Sequence, residues 1–266
     1  MIGSEHIAFL ISPNATDILL FGAKAANLAK AVQLGFSVPN GMAISKVCTE
    51  AEFVLLSQNI IEELSPPIAV RSSATGEDSE TKSFAGLFET HLGVGTTVDL
   101  LNAFASVKSS GASVHIKKYH GEEIPPEQIA VLVQCMVNAT RAGVAFSRDP
   151  ITGEPNVIIE SNYGLGKSVV EGDVTPDSIE YLPDGTYKTF IGRKSTKITL
   201  YDKGIHIQET PPEDAKRCSL TDEEINGIAK LTQKVERDLG FPADIEWAFD
   251  FDGKLWLLQA RPITTL

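Results

Sequence analysis

The strongest constraint on this chain is a pair of strand-like runs near its carboxyl end, on either side of Asp252-Gly253. An Asp-Gly dipeptide between two such runs is typical of a two-residue β-hairpin turn. A hairpin with this turn places Glu246 opposite Gln259. The next polar pair along the two strands is Asp244 opposite Arg261.

Both pairs are predicted to lie on one face of the hairpin, because successive side chains of a strand point to opposite faces. The other face is apolar and is predicted to be a core face, formed by Ile245, Trp247, Phe249, Trp256, Leu258 and Ala260. Carboxylate and amide oxygens are ligands of Mg²⁺, which usually also takes substrate phosphates, and a neighbouring Arg suits a phosphate oxygen. The residues of this segment are equally compatible with an ordinary half-exposed hairpin that carries two polar pairs.

Composition narrows the class of protein. The chain has 266 residues and 42% hydrophobic content, which is enough for one large domain or two small ones. Its net charge of −12 argues against nonspecific binding to nucleic acid or to anionic membranes. No apolar run is long enough to span a bilayer, and the amino terminus lacks the pattern of a secretory signal. Three scattered cysteines without CxxC spacing predict a protein of the reducing cytoplasm.

The order of predicted elements indicates an α+β chain with a boundary near Pro125-Pro126, and hence two lobes, residues 1–125 and 126–266. The first lobe is predicted to have helices at residues 18–34, 47–64 and 97–119 and a strand at 68–70. The second is predicted to be rich in strands, at residues 129–136, 143–147, 157–160, 178–182, 187–191 and 196–207. Thr221 and Glu224 form a capping-box pattern that predicts the start of a helix ending at Leu239.

Two basic residues lie in positions typical of phosphate binding. Arg71 ends an apolar strand and opens a run of small residues, where backbone N–H groups can approach an anion. Glu77 and Asp78 follow in the same loop, within reach of a metal, and residues 83–86 are predicted to be a mobile lid over the phosphates. Lys24 lies among alanines at a helix start, where the helix dipole favours negative charge. An ordinary polar turn and a solvated helix lysine remain open alternatives.

The apolar run at residues 129–136 is followed by a candidate adenine site, Gln134-Cys135-Met136-Val137. Backbone groups at the end of such a strand can bind the edge of an adenine, and an apolar side chain such as Met136 can contact the ring. The same residues also suit an ordinary core strand, and from the residues alone that alternative is the stronger one.

Five motifs follow one another along the chain. They are Phe-Gly-Ala-Lys-Ala-Ala-Asn-Leu at residues 21–28 with Gly-Phe-Ser-Val-Pro-Asn-Gly at 35–41, Ala-Val-Arg-Ser-Ser-Ala-Thr-Gly-Glu-Asp at 69–78 with Ser-Phe-Ala-Gly at 83–86, Gly-Val-Ala-Phe-Ser-Arg-Asp-Pro at 143–150 with Thr-Gly at 152–153, Asn-Tyr-Gly-Leu-Gly at 162–166 with Val-Val-Glu-Gly at 169–172 and Val-Thr-Pro-Asp at 174–177, and Asp-Ile-Glu-Trp at 244–247 with Leu-Gln-Ala-Arg-Pro-Ile-Thr at 258–264. In sequence and in order they resemble the motifs of the pyruvate phosphate dikinase and phosphoenolpyruvate synthase family. The resemblance covers essentially the whole chain.

The resemblance implies an α+β fold of the ATP-grasp type, in which two α+β lobes clamp ATP. It also implies that Lys24 and Arg71 contact the phosphates, and that Arg261 touches the phosphoryl group that is transferred. These three cations are the expected catalytic residues.

A magnesium site and an adenine site are implied by the same match. Glu246 and Gln259 are expected to hold Mg²⁺ with Asp244 close by, in agreement with the faces predicted for the hairpin. The adenine slot is expected to be lined by Gln134, Met136 and Val137.

The chain departs from the family pattern at three positions. Ala23 and Ala25 stand where relatives usually have Gly, and an added Cβ at either position is expected to tighten the approach of a ligand to the backbone beside Lys24. Lys167 stands where Glu is common, which adds a cation near the nucleotide.

The function implied is that of an ATP-binding domain or subunit of a dikinase-type phosphotransferase, which passes a phosphoryl group to a histidine and gives AMP and phosphate. None of the five histidines lies in the Thr- and Gly-rich motif that carries this residue in the family. The expected partners are therefore ATP and another polypeptide or missing domain that bears the histidine, with no nucleic acid and no membrane. Two alternatives stay open: a stand-alone ATP-grasp kinase or ligase that acts on a small molecule, and a nucleotide-binding regulatory module without catalysis.

Overall fold

The computed structural model describes residues 5–75, 78–79, 82–83, 89–112, 125, 128–201 and 204–264. These residues form two compact units. The first comprises the described residues up to Gly35, those from Pro39 to Met136, and Gly204. The second comprises Phe36–Val38, Val137–Tyr201 and the described residues from Ile205 onward. Both units combine strands and helices, so the predicted α+β class is confirmed.

The three helices of the first unit come in the predicted order, with the predicted strand between the second and the third. Its strands are β1 (Ile7–Phe9), β2 (Gly41–Ile44), β3 (Ile68–Ala74), β4 (Asp78–Ser79), β5 (Lys82–Ser83), β6 (Thr90–Val94) and β7 (Ile129–Cys135). Its helices are α1 (Ile18–Gln33), α2 (Glu50–Leu64) and α3 (Thr97–Ser109), with short 3₁₀ turns at Pro13–Thr16 and Ser110–Ala112. The last part of the helix predicted at 97–119 lies outside the described residues.

The main sheet of this unit has the antiparallel order β1-β2-β7-β3-β6. One face packs against α2 and α3, where the rings of Phe53 and Phe104 stack with centroids 3.8 Å apart. Helix α2 starts at a capping box, since Thr49 accepts from the Glu52 N–H and the Glu52 carboxylate accepts from the Thr49 N–H. This buried apolar face stabilises the unit and leaves the other face of the sheet for α1 and polar side chains.

The second unit is built on a six-stranded antiparallel sheet. The strands of the unit are β8 (Arg141–Phe146), β9 (Val157–Tyr163), β10 (Asp177–Tyr181), β11 (Tyr187–Phe190), β12 (Thr196–Tyr201), β13 (Gly204–Glu209, whose first residue belongs to the first unit), β14 (Ala243–Phe249) and β15 (Leu255–Pro262). Its helices are α4 (Lys167–Val170), α5 (Pro212–Ala215) and α6 (Asp222–Leu239). The large sheet has the order β11-β10-β9-β8-β14-β15, and β12 and β13 form a separate pair.

Helix α6 covers one face of this sheet. Its start confirms the predicted capping box of Thr221 and Glu224, and it ends at Gly240, which has a φ of 82°. Arg141 donates a 2.7 Å bond to Glu224 on α6, and Arg141 is paired with Phe249 on β14. Cross-strand partners share a face of the sheet. Helix α6 therefore lies on the face that carries Phe249, Trp247 and Ile245. No helix in the described part of the chain is long and apolar enough to cross a bilayer.

The turn of the carboxyl-terminal hairpin differs from the prediction. The last pair before the loop is Phe249 with Leu255, so five residues connect the strands instead of two. Asp250 organises this loop, because its carboxylate accepts from the N–H groups of Asp252 and Lys254 and from the indole N–H of Trp256. Such bonds from an Asp side chain to nearby backbone favour a longer turn over the tight Asp-Gly type.

A β-bulge restores the predicted pairs. Trp247 pairs with Leu257 and Glu246 pairs with Gln259, so Leu258 is one extra residue on β15. Beyond the bulge the register places Asp244 opposite Arg261, as predicted. The predicted pairs are therefore confirmed even though the turn was wrong.

The bulge also changes which side chains of β15 are buried. Leu257, opposite Trp247, lies in the core at 1% exposure, while Leu258 is half-buried. Trp256 pairs with Ala248 and therefore lies on the face opposite α6, half-buried under the Lys254 ammonium group 3.6 Å from its ring centroid. The core positions predicted for Trp256 and Leu258 were wrong, because a bulge shifts the alternation by one residue.

The boundary between the two units falls later than the one predicted at Pro125-Pro126. Strand β7, expected in the second lobe, pairs with β2 and β3 in the centre of the first sheet. The first unit ends after it, at Met136. Pairing between distant segments decides this membership, and the pattern of a single strand does not reveal it.

A fully buried ion pair ties three segments of the second unit together. The ammonium group of Lys194 donates to the Asp177 carboxylate at the start of β10, and both side chains have no exposure. Asp177 also accepts from the N–H groups of Gly192 at 2.9 Å and Ser219 at 2.7 Å. Such hydrogen bonds offset the free-energy cost of burying a charged carboxylate.

A matched pair of substitutions tests the bulge. Leu257→Ala should lower the free energy of unfolding of the second unit by about 2–5 kcal/mol, because it leaves a cavity beside Trp247. Leu258→Ala should cost about 1 kcal/mol or less. Both tryptophans lie in this unit, so urea titrations followed by tryptophan fluorescence report on it. Equal losses in the two variants would contradict the assignment of Leu258 as the extra residue.

Candidate functional site

A break in helix α1 shapes the surroundings of Lys24. Gly22 has φ 74° and ψ 168°, a conformation that is essentially restricted to glycine, so the helix starts again at Ala23. A Cβ on Gly22 would lie 1.7 Å from the carbonyl oxygen of Ser73. Glycine is therefore required here for both the backbone conformation and the close approach to β3.

Ser73 joins the restarted helix to β3. Its hydroxyl donates to the Phe21 carbonyl at 2.7 Å and accepts from the Ala25 N–H at 3.0 Å. Ala23 and Ala25, at the positions where the resemblance predicts glycine, are buried, and the Ala25 N–H donates to Ser73. The two motifs at residues 21–28 and 69–78, far apart in the sequence, are thus brought together in the first unit.

Arg71 lies inside a strand and not at the start of a loop. Strand β3 continues to Ala74, because Arg71 pairs with Leu132 on one side and with Thr90 on the other. The prediction of a polar loop from Arg71 onward was wrong for residues 71–74, since pairing with β7 extends the strand to Ala74. Glu77 and residues 84–86 of the predicted lid lie outside what the structure describes. For Asp78 and Ser83 the structure describes the backbone alone.

One face of the first sheet gathers the predicted polar residues of this unit. Ala69 pairs with Gln134, so alternation places Arg71, Ser73 and Gln134 on the same face, the one that Ser73 shares with α1. The Lys24 side chain is 6% exposed and lies on the restarted part of α1. The first unit therefore contains the restarted end of α1, Lys24 and Arg71 together.

The predicted adenine residues lie at the end of β7. The Gln134 amide is buried and donates to the Pro39 carbonyl at 3.4 Å. The Met136 N–H donates to the Pro67 carbonyl at 3.1 Å, and its sulfur accepts from the Gly93 N–H at 3.0 Å. Val137 belongs to the second unit and is described there as half-buried.

In the second unit, the four predicted hairpin residues lie together. The pairs Glu246 with Gln259 and Asp244 with Arg261 occupy the face of the sheet opposite α6. Arg261 donates from Nε at 2.8 Å and from Nη2 at 2.6 Å, both to Oδ2 of Asp244. Burial raises the pKa of the Asp244 carboxyl, the charge and hydrogen bonds of Arg261 oppose this rise, and the charge of Glu246 adds to it.

A further carboxylate, Glu160 on β9, lies on the same face. Val144 on β8 pairs with Glu160 on one side and with Glu246 on the other, so all three share a face. Burial raises the pKa of the Glu160 carboxyl, and the charge of Asp244 raises it further. The sequence shows only that Glu160 follows the apolar residues Val157–Ile159, and the strand order is what reveals that β9 lies two strands from β14.

Lys167, the third departure from the family pattern, starts the short helix α4 and forms an ion pair with Glu171 one turn later. Its charge therefore has an acidic neighbour within the second unit. Across the described residues, no group of three or more His, Cys, Asp or Glu side chains is placed to hold a metal ion.

Comparison with known families identifies the domain type. Residues 48–266 match the model of the pyruvate phosphate dikinase AMP/ATP-binding domain. The chain belongs to this family. It is an ATP-binding domain of the dikinase type, as the motifs predicted, and the α+β architecture of its two units agrees with the expected ATP-grasp fold.

Several curated members of the dikinase family are similar over most of this chain. A probable phosphoenolpyruvate synthase of Methanothermobacter thermautotrophicus is 30% identical, over 98% of this chain and 46% of its own length. An uncharacterized phosphotransferase of Bacillus subtilis, YvkC, is 33% identical over 93% of this chain and 34% of its own length. The phosphoenolpyruvate synthase of Pyrococcus furiosus is 39% identical over 75% of this chain and 26% of its own length. The chain thus spans less than half the length of these relatives.

Among solved structures, the L-amino acid ligase of Bacillus licheniformis has a TM-score of 0.44 and 16% identity, over 94% of this chain and 44% of that chain. A likeness of this size supports no inference.

Two glycines at positive φ provide a test of the junction between α1 and β3. Gly22→Ala should destabilise the first unit by about 3 kcal/mol or more, because both the φ and the contact with Ser73 become unfavourable. Gly35→Ala is the matched control, since Gly35 has φ 80° but nothing within 4 Å of its Cβ position. Its cost should be about 1 kcal/mol. Hydrogen exchange of the β3 amides measures both, and equal costs would show that the close approach to Ser73 is unimportant.

Proposed function

We propose that this chain binds Mg²⁺-ATP and that a histidine of another domain or polypeptide takes a phosphoryl group from it, with one water consumed and AMP and phosphate released. The observation that carries the proposal is the shared face of Glu246, Gln259, Asp244 and Arg261 in a chain of the dikinase ATP-binding family. Phosphoenolpyruvate synthases are among its relatives, so a dikinase-type transferase acting through a phosphohistidine is the reaction class that we infer.

Lys24 and Arg71 are the groups that we assign to the phosphates. Lys24 lies at a restarted helix amino terminus, where the dipole favours negative charge, and the junction through Ser73 fixes this terminus beside β3. Arg71 presents a guanidinium from the same face of the sheet. The two cations would neutralise the charge that develops on phosphoryl oxygens, so catalysis by these residues is positioning and electrostatic stabilisation.

The donor set of the hairpin fits a magnesium ion. Glu246 supplies a carboxylate and Gln259 an amide oxygen from directly opposite positions, and Mg²⁺ commonly takes one or two protein ligands together with phosphates. The ion, when bound, would draw charge from the phosphate oxygens. Arg261 lies one pair further along and is the third cation that we assign to the transferring phosphoryl group.

The adenine is assigned to the end of β7. Met136 is half-buried there and offers an apolar side chain, while its N–H is already bonded to Pro67. We therefore assign the ring contact to the Met136 and Val137 side chains, with Gln134 fixing the strand end through Pro39. A cytoplasmic location is part of the proposal, since Cys48, Cys135 and Cys218 are all free thiols.

Glu246→Gln tests the magnesium assignment. In calorimetric titrations, Mg²⁺ should increase the affinity of the wild type for ATP, and the substitution should reduce that increase about tenfold, since it removes the charged ligand. Affinity measured in EDTA should change little. Glu180→Gln, which removes a carboxylate from β10 of the same sheet, is the control. The assignment is wrong if both variants respond to Mg²⁺ like the wild type.

Arg71→Ala tests the phosphate assignment in the first unit. The variant should bind ATP about tenfold more weakly, with or without Mg²⁺, because a charge-assisted phosphate contact is lost. AMP affinity should fall less, and the melting temperature should stay close to that of the wild type. Arg237→Ala removes an exposed arginine of α6 and controls for net charge. Unchanged ATP binding by Arg71→Ala would remove Arg71 from the site.

A further inference from the structure

A two-donor contact on the site face of the second unit joins Arg261 to Asp244. Two N–H groups of the guanidinium, Nε and Nη2, donate to the single oxygen Oδ2 at 2.8 Å and 2.6 Å. The two side chains are 9% and 23% exposed, so the pair is largely shielded from water. They come from directly opposite positions of β14 and β15, just beyond the bulge.

We propose that Asp244 is a positioning residue for Arg261 and not a ligand of the metal. This inference rests on the proposed function, since the phosphoryl group is the target assigned to Arg261. It revises the expectation that Asp244 contributes to the magnesium site along with Glu246 and Gln259.

The geometry of the guanidinium supports this role. The group is planar, and its bonds to Asp244 occupy the edge formed by Nε and Nη2. Nη1 is therefore directed away from Asp244. An arginine held in this way has lost most of its side-chain freedom before ATP arrives, so less entropy is lost when it binds an oxyanion. A group fixed in advance is what electrostatic stabilisation of a transferring phosphoryl requires.

Charge argues against a second role in metal binding. The Oδ2 atom already accepts two N–H donors, and the guanidinium neutralises the carboxylate, which weakens it as a ligand for a hard cation. Glu246 on the same strand and Glu160 on β9 share the site face with Asp244. Among these three carboxylates, Asp244 is the one that accepts from both Nε and Nη2 of Arg261.

The first experiment needs no nucleotide. In protein labelled with ¹⁵N-arginine, the Nε–H of Arg261 should give a signal with slow solvent exchange, assigned by its loss in Arg261→Gln. Asp244→Asn should shift this signal and speed its exchange, because the charged acceptor is gone. Glu160→Gln is the matched control, since it removes the same charge from the same face without touching the pair. A signal unchanged in Asp244→Asn would overturn the proposal.

The second experiment separates positioning from metal binding. Calorimetric titrations with ATP are made in EDTA and in Mg²⁺, with Asp244→Asn, Arg261→Gln and the double variant. Positioning predicts that Asp244→Asn lowers ATP affinity about tenfold under both conditions, and that it has no further effect once Arg261 is replaced. Metal ligation predicts a loss confined to Mg²⁺ that persists in the Arg261→Gln background, and this result would overturn the proposal.

Asp244→Glu covers the case in which the Asn variant does not fold. It keeps the carboxylate but displaces the guanidinium, so it should also lower the affinity measured in EDTA. Wild-type affinity in this variant would contradict positioning. If the wild type itself binds no ATP in either titration, the proposed function fails, and the Nε–H signal of the nucleotide-free protein decides the assignment of Asp244 by itself.

Discussion

Pairing of β14 with β15 is the constraint on which the candidate site of the second unit depends. Side chains alternate along a strand with a period of two, so a slip of one residue moves every following side chain to the other face. The five-residue connection after Phe249 sets a register that, continued unchanged, would turn Gln259 and Arg261 toward α6. The extra residue Leu258 corrects the register before these two positions are reached. The metal and phosphate binding that we propose for this face therefore depends on an irregularity in the ladder.

Features that depend on neighbouring residues are predicted well from the sequence. Features that depend on segments distant in the sequence are predicted poorly. The capping box of Thr221 and Glu224 involves bonds within a single helical turn, and it was confirmed residue by residue. The cross-strand pairs of the hairpin were also correct, but two errors compensated: the connection is longer than an Asp-Gly turn, and the bulge takes up the difference. Neither the longer connection nor the bulge is visible in the sequence. A bulge carries no reliable residue signal, and the connection is longer only because the bulge compensates for it.

Placements that depend on distant segments of the chain were not predicted, or were predicted wrongly. Glu160 joins the site face only because β8 lies between β9 and β14. Arg71 belongs to a strand because Leu132 and Thr90 flank it, and β7 belongs to the first unit because it pairs with β2 and β3. Identification of the domain type did not need this information, since it rests on the order of short motifs. The assignment of individual site residues did need it.

The ion pair of Asp177 and Lys194 has a consequence for how this domain can change over evolutionary time. Three backbone and side-chain donors converge on one carboxylate that water does not reach. Losing either partner alone strands a charge in the interior, and a joint exchange for two apolar residues would leave the buried N–H groups of Gly192 and Ser219 without their acceptor. Asp177 should therefore persist in descendants of this sequence unless another acceptor arises for the Gly192 and Ser219 N–H groups, and Lys194 should persist with it.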